Sequence, residues 1–143
     1  MQQLLAELIA EHRQTLAGLD QIAQAGPNTG RGQALLRSLR PQLLNHLYKE
    51  DTRLYPALQQ QADEDQQLAD VLKHFTPDML QISAATRSFF EDWQSGLPGM
   101  DLVAEFSRLY QLLLSRIHKE EHILFEHYQE RDHTTTPLEP DQP

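Results

Sequence analysis

Leucines recur at intervals of three and four residues through most of the chain, and no alternating apolar and polar run lies between hairpin turns. That spacing puts one apolar stripe on each of several helices, and each stripe must be buried against another. The expected fold is therefore all-α. A first helix is expected over residues 2–24, with Leu5, Leu8, Ile9, Leu16 and Leu19 on its stripe, ending at the turn formers of AGPNTGRG. A second covers residues 32–61 and carries Leu36, Leu39, Leu43, Leu47, Leu54 and Leu58. Pro41 and Pro56 either kink it or, at Pro41, begin a new helix. A third covers residues 65–93, where Thr76 and Pro77 have the form of a helix start, so a kink and a break are both open. The fourth follows Asp101 as N-cap over residues 102–129, with Phe106, Tyr110, Leu113, Ile117, Leu124 and Tyr128 inward. Four such segments on short loops pack most simply as an up-down-up-down four-helix bundle over residues 1–130, with a polar, Pro-rich, disordered tail at 131–143.

A chain of 143 residues suits one domain with a single core. Its net charge of -9, with no cluster of Lys and Arg, argues against nucleic acid or an acidic membrane as partner. Cysteine is absent, which excludes disulfides and thiolate ligands, so any transition metal must be held by His and carboxylate. The N-terminus has no basic region ahead of an apolar block, and no stretch approaches about 18 apolar residues. A soluble, cytoplasmic protein is expected.

The histidines carry the chemical information. His12 falls on the first helix's stripe between Leu8 and Leu16, a place where a lone His is commonly a hydrogen-bonded core residue. In HLYKEDTRLYP, His46 and Glu50 are one helical turn apart on the inner side of the second helix. A Glu facing a core needs a partner. His74 lies beside Val71 and Phe75, with Asp78 a turn further on, and is also expected inward. Inward imidazoles from three helices, joined by a carboxylate, point to a buried metal site.

This arrangement resembles the hemerythrin-like, or HHE cation-binding, family over about residues 4 to 128. The most specific part is HLYKEDTRLYPAL; the inward His of helix one, the His of helix three and IHKEEHILF on helix four add to it. The resemblance implies a non-haem iron centre, di-iron in the family, that binds oxygen, meets nitric oxide, or senses iron or oxygen. It puts His12, His46, Glu50 and His74 in ligand positions, with Glu50 a metal-bridging carboxylate. Aligning ILF at 123–125 with RLY at 53–55 sets Glu120 opposite Glu50, and sets Arg116 where the family has a His. Arg offers only donors and stays protonated, so it cannot ligate a metal. It is expected to pair with Glu50 or Glu120.

His118, near an edge of the fourth helix's stripe, is the reserve ligand; His122 faces out, His127 is a lower-layer contact, and His133 belongs to the tail. The ligand set expected from the sequence is thus His12, His46, Glu50, His74 and Glu120, with His118. The implied partners are a metal ion or a small diatomic ligand, with no chemistry on a substrate. A second reading is a metal-free bundle for regulation or protein interaction, in which Arg116 replaces a ligand His. There Phe89, Phe90 and Trp93 would serve a protein partner or a second copy of the chain. A ferritin-like oxidase would need Glu-x-x-His on two helices, and the one such pair, Glu130 with His133, is in the tail. No serine sits in a nucleophile elbow and no Gly-rich loop follows a strand.

Overall fold

The computed structural model describes residues 1–96 and 100–127, and among these it contains helices and no strand. α1 spans Gln2–Ala25 and α2 spans Gly30–Lys49; α2 passes through a π-helical turn, Glu50–Leu54, into α3, Tyr55–Ala62. α4 is Gln66–Ser95, and α5, Leu102–Lys119, runs into a second π-helical turn, Glu120–Phe125. α2, its π turn and α3 make one arm, so the bundle has four. α1 lies against α2 and α5, while α4 lies against α2, α3 and α5. Consecutive arms are therefore neighbours, and the short connections between them reverse the chain each time.

The first reversal depends on two glycines of AGPNTGRG. Gly26 has φ +93°, a conformation that favours glycine, and a Cβ on Gly32 would come within 1.9 Å of the Gly26 carbonyl oxygen. Thr29 then caps α2, its hydroxyl accepting from the Gly32 N–H at 3.0 Å.

The prolines interrupt less than their chemistry suggests. α2 continues through Pro41, and α4 is one helix through Pro77, so Thr76 is interior rather than an N-cap. The cap of α4 is Asp65, which accepts from the Leu68 N–H at 3.2 Å. A mid-helix Pro costs about 3 kcal/mol. Leu68, Leu72, Met79, Ile82, Phe89 and Phe90 all stay buried across Pro77 on one face, at roughly 1.5–3 kcal/mol each, and this keeps the helix whole. Pro56 stands in the first turn of α3, where its missing N–H is tolerated. Asp101 caps α5 as expected, accepting from Ala104 N–H at 3.2 Å.

Phe89 and Phe90 are core residues in edge-on contact at 5.1 Å, and half-buried Trp93 donates to Gln33 at 2.9 Å. This aromatic set packs helices together and does not form the open partner surface considered above. Tyr128 and the tail at 131–143 lie outside the described residues. No helix among the described residues is long and apolar enough to cross a membrane.

Candidate metal centre

Both π turns open on a buried glutamate, Glu50 in one and Glu120 in the other. A π turn is a rare, locally widened stretch of helix, found frequently at functional sites. One α-helical turn before each glutamate stands another buried member of the site, His46 before Glu50 and Arg116 before Glu120. The two segments face one another across the bundle, and His12 reaches both from α1.

His12 Nε2 lies 3.2 Å from Glu50 Oε2 and 3.1 Å from Glu120 Oε1, and His46 Nε2 lies 3.0 Å from Glu50 Oε2. The other nitrogen of each ring is held from outside: His12 Nδ1 by Glu121 at 2.6 Å, His46 Nδ1 by Glu11 at 2.6 Å. Arg13 supports Glu121 at 3.0 Å, and Lys49 supports Glu11 at 2.6 Å. Phe125 stacks on the His12 ring at 6.0 Å. These contacts fix both imidazoles with Nε2 inward, as an outer carboxylate fixes a metal-ligating His.

On the opposite side Arg116, 1% exposed, donates from Nε to Glu120 Oε2 at 3.1 Å and from one terminal nitrogen to Glu50 Oε1 at 2.9 Å. Its other terminal nitrogen donates to the Met79 carbonyl at 2.9 Å and to Ser83 Oγ at 2.7 Å. The Tyr55 hydroxyl adds a hydrogen bond to Glu120 Oε2 at 2.9 Å.

Two carboxylates away from water need matching cations. Burial pushes the Glu50 carboxyl up, but hydrogen bonds from His12 and His46 and the charge of Arg116 hold it well below the usual range. Burial and the neighbouring Glu50 charge raise Glu120 to about 7, against the pull of His12 and Arg116. For His12 burial acts downward, yet its hydrogen bonds to Glu120 and Glu50 prevail and raise it to about 10. His46 is raised in the same way by Glu50 and Glu11, again against burial. The Tyr55 hydroxyl, buried beside Glu120, is pushed well above the ordinary tyrosine value. Without a metal, His12 is therefore an imidazolium whose inner N–H points between two carboxylates, in the direction a cation would attract them.

A metal with bonds of about 2.0–2.1 Å to nitrogen and oxygen sets adjacent donors roughly 3.0–3.4 Å apart. The separations of 3.0, 3.1 and 3.2 Å around the inner imidazole nitrogens are hydrogen-bonding distances in the metal-free site and are also compatible with those edges, while the wider pairs would have to draw in around an ion. His12, His46, Glu50 and Glu120 can each offer one donor atom, all within 4.8 Å of one another and all buried. Buried Glu120 Oε1 faces His12 Nε2 at 3.1 Å without a well-aligned hydrogen bond, so it could turn its lone pairs to a cation. The residues present thus fit a metal ion. A family model, the hemerythrin HHE cation binding domain, matches residues 3–128. The chain belongs to the hemerythrin HHE family. No curated protein and no solved structure matches it.

Of the residues expected at this hemerythrin-like centre, His12, His46, Glu50 and Glu120 come together. His74 and His118 do not. His74 is exposed, because continuous α4 turns Leu72, Met79, Ile82 and Ser83 inward, and position 74 then faces away. His118 is exposed too, one residue past buried Ile117, with its ring 4.6 Å from that of His122. His127 is a half-buried contact 3.4 Å from Asp65. Arg116 meets both glutamates. Residues not anticipated from the sequence are Glu11, Glu121, Tyr55, Ser83 and the Met79 carbonyl. The first two adjoin His12 and Glu120 in sequence, and that adjacency of acid to ligand is the one signal that pointed to them.

Proposed function

We propose that this hemerythrin-like domain is a metal-binding module in which His12, His46, Glu50 and Glu120 hold iron for binding a small diatomic ligand or sensing iron. The observation that carries the reading is the meeting of four buried donors within 4.8 Å, with both imidazoles already oriented by outer carboxylates. Bound iron supplies an open coordination position for a small ligand. The chain supplies the surroundings: Leu43, Leu47, Leu113 and Ile117 wall a void of about 10 Å³ beside the four donors, room for roughly one water. Thr15 also lines it, with a buried hydroxyl that has no partner and is free to donate to a bound ligand. Taking up the ion requires His12 to release its inner proton, so loading and proton release are coupled.

The metal-free reading draws on one specific feature: Arg116 and the His12 imidazolium already neutralise Glu50 and Glu120. Elemental analysis separates the two. Protein expressed with added iron, without a His tag, is expected to retain iron well above background, and His46→Ala protein is expected to lose it. Background iron in a folded wild-type protein would overturn the metal reading in favour of a regulatory or interaction role.

A further inference from the structure

Each glutamate of the centre faces two ways. Glu50 gives Oε2 to His12 and His46 and Oε1 to Arg116; Glu120 gives Oε1 to His12 and Oε2 to Arg116. A carboxylate whose two oxygens face opposite ways can bridge two cations. Here the second cationic position is already filled. The guanidinium spans Oε1 of one glutamate and Oε2 of the other, at 2.9 and 3.1 Å. Its remaining terminal nitrogen is taken up by the Met79 carbonyl and Ser83 Oγ, so all three of its nitrogens have partners. Asp51 stands 3.6 Å from it as a further counter-charge.

The wall behind the guanidinium is equally unsuited to a metal. α4 presents Met79 and Ser83 there, four residues apart, the spacing at which a helix would present two ligands. Neither matches the imidazole and carboxylate donors across the site, and no His among the described residues touches the guanidinium.

We infer that Arg116 is a built-in cation in the place of a second metal ion, so that the centre accepts one exchangeable ion per chain, on the side of His12 and His46. The inference rests on the metal-binding reading above and sharpens it. Arg116 also holds Glu50 and Glu120 ready for the incoming ion and keeps part of the site's charge balanced before that ion arrives.

The test is stoichiometry on the full chain. Metal-free protein is titrated anaerobically with ferrous iron, and after oxidation the iron per chain and the EPR spectrum are measured. The expected result is one iron per chain with the signal of an isolated ferric ion. Two irons per chain with a coupled, EPR-silent pair would overturn the inference while leaving metal binding intact; none would overturn both. The triple variant Met79→His, Ser83→His, Arg116→His, which turns three positions around the guanidinium into ligands, is expected to take a second iron. If it folds and still binds one, Arg116 does not stand in a second ion's place. Arg116→Lys, which keeps a cation there, is expected to remain at one iron, and two would overturn the inference even if the triple variant fails to fold.

Discussion

HLYKEDTRLY at 46–55 and RIHKEEHILF at 116–125 are two versions of one local device. In each, an α-helix ends one turn after a buried polar residue, a glutamate opens a π turn, and an aromatic side chain, Tyr55 or Phe125, is buried at its end. The difference lies in the first residue. His46 offers a lone pair to a cation, and Arg116 is a cation. One backbone arrangement, repeated across a bundle, therefore makes a half that can exchange its ion and a half that cannot. The supports differ accordingly: outer carboxylates Glu11 and Glu121 orient the imidazole side, while a carbonyl and a hydroxyl from α4 fasten the guanidinium.

Breaking the fixed half should have the largest effect on the protein itself. Arg116→Ala removes one of the two buried cations that face both Glu50 and Glu120, leaving only the His12 imidazolium, and loss of one partner of such a group typically costs about 3–5 kcal/mol. Urea unfolding of the metal-free variant is expected to show a loss of that order, and a loss below about 1 kcal/mol would show that the guanidinium is not the main counter-charge.

On the exchangeable half the prediction concerns affinity. Glu121→Gln and Glu11→Gln remove the outer carboxylates, and such changes commonly weaken metal binding about 10–100-fold. Competition with a chelator should place both variants in that range. Unchanged affinity would mean that the imidazoles are oriented by packing alone.

The pH dependence sharpens the contrast further. In the metal-free protein His12 is raised from 6.5 to about 10, so its stabilising charge is fully present below 6.5 and is lost as pH rises through 10. Glu120, raised from 4.5 to about 7, acts in the same sense: its protonated form favours the fold, and that contribution fades between 4.5 and 7. The metal-free melting temperature is therefore expected to fall as pH is raised toward 10. Metal affinity should rise over the same interval, because the ion competes with the His12 proton. A metal-free melting temperature that increases from pH 7 to 10 would contradict this balance.

The smallest effect is expected where sequence spacing alone suggested ligands. His74→Ala and His118→Ala alter exposed side chains outside the cluster and should leave metal content and affinity unchanged. A lowered metal content in either variant would place that His in the centre after all.

The sequence by itself determined the all-α bundle and the half of the site lying on α1 and α2, because the burial stripe of an amphipathic helix is a local, periodic property. His12 between Leu8 and Leu16, and His46 with Glu50 beside Leu43 and Leu47, fall on stripes that hold their register, that of α2 continuing through Pro41. Reading the stripe of α4 from Val71 and Phe75 misplaces His74, because Leu68, Leu72, Met79 and Ile82 are its buried residues and position 74 lies on the other side from them. Whether Pro77 ends a helix depends on how much apolar surface the far side of it buries against neighbouring arms, and that balance is tertiary. Only the folded structure showed that Glu120 turns one oxygen to His12 and the other to Arg116, and that Glu11 and Glu121 stand behind the imidazoles. Contacts between residues far apart in the chain follow from the way the arms pack, which spacing along one helix does not specify.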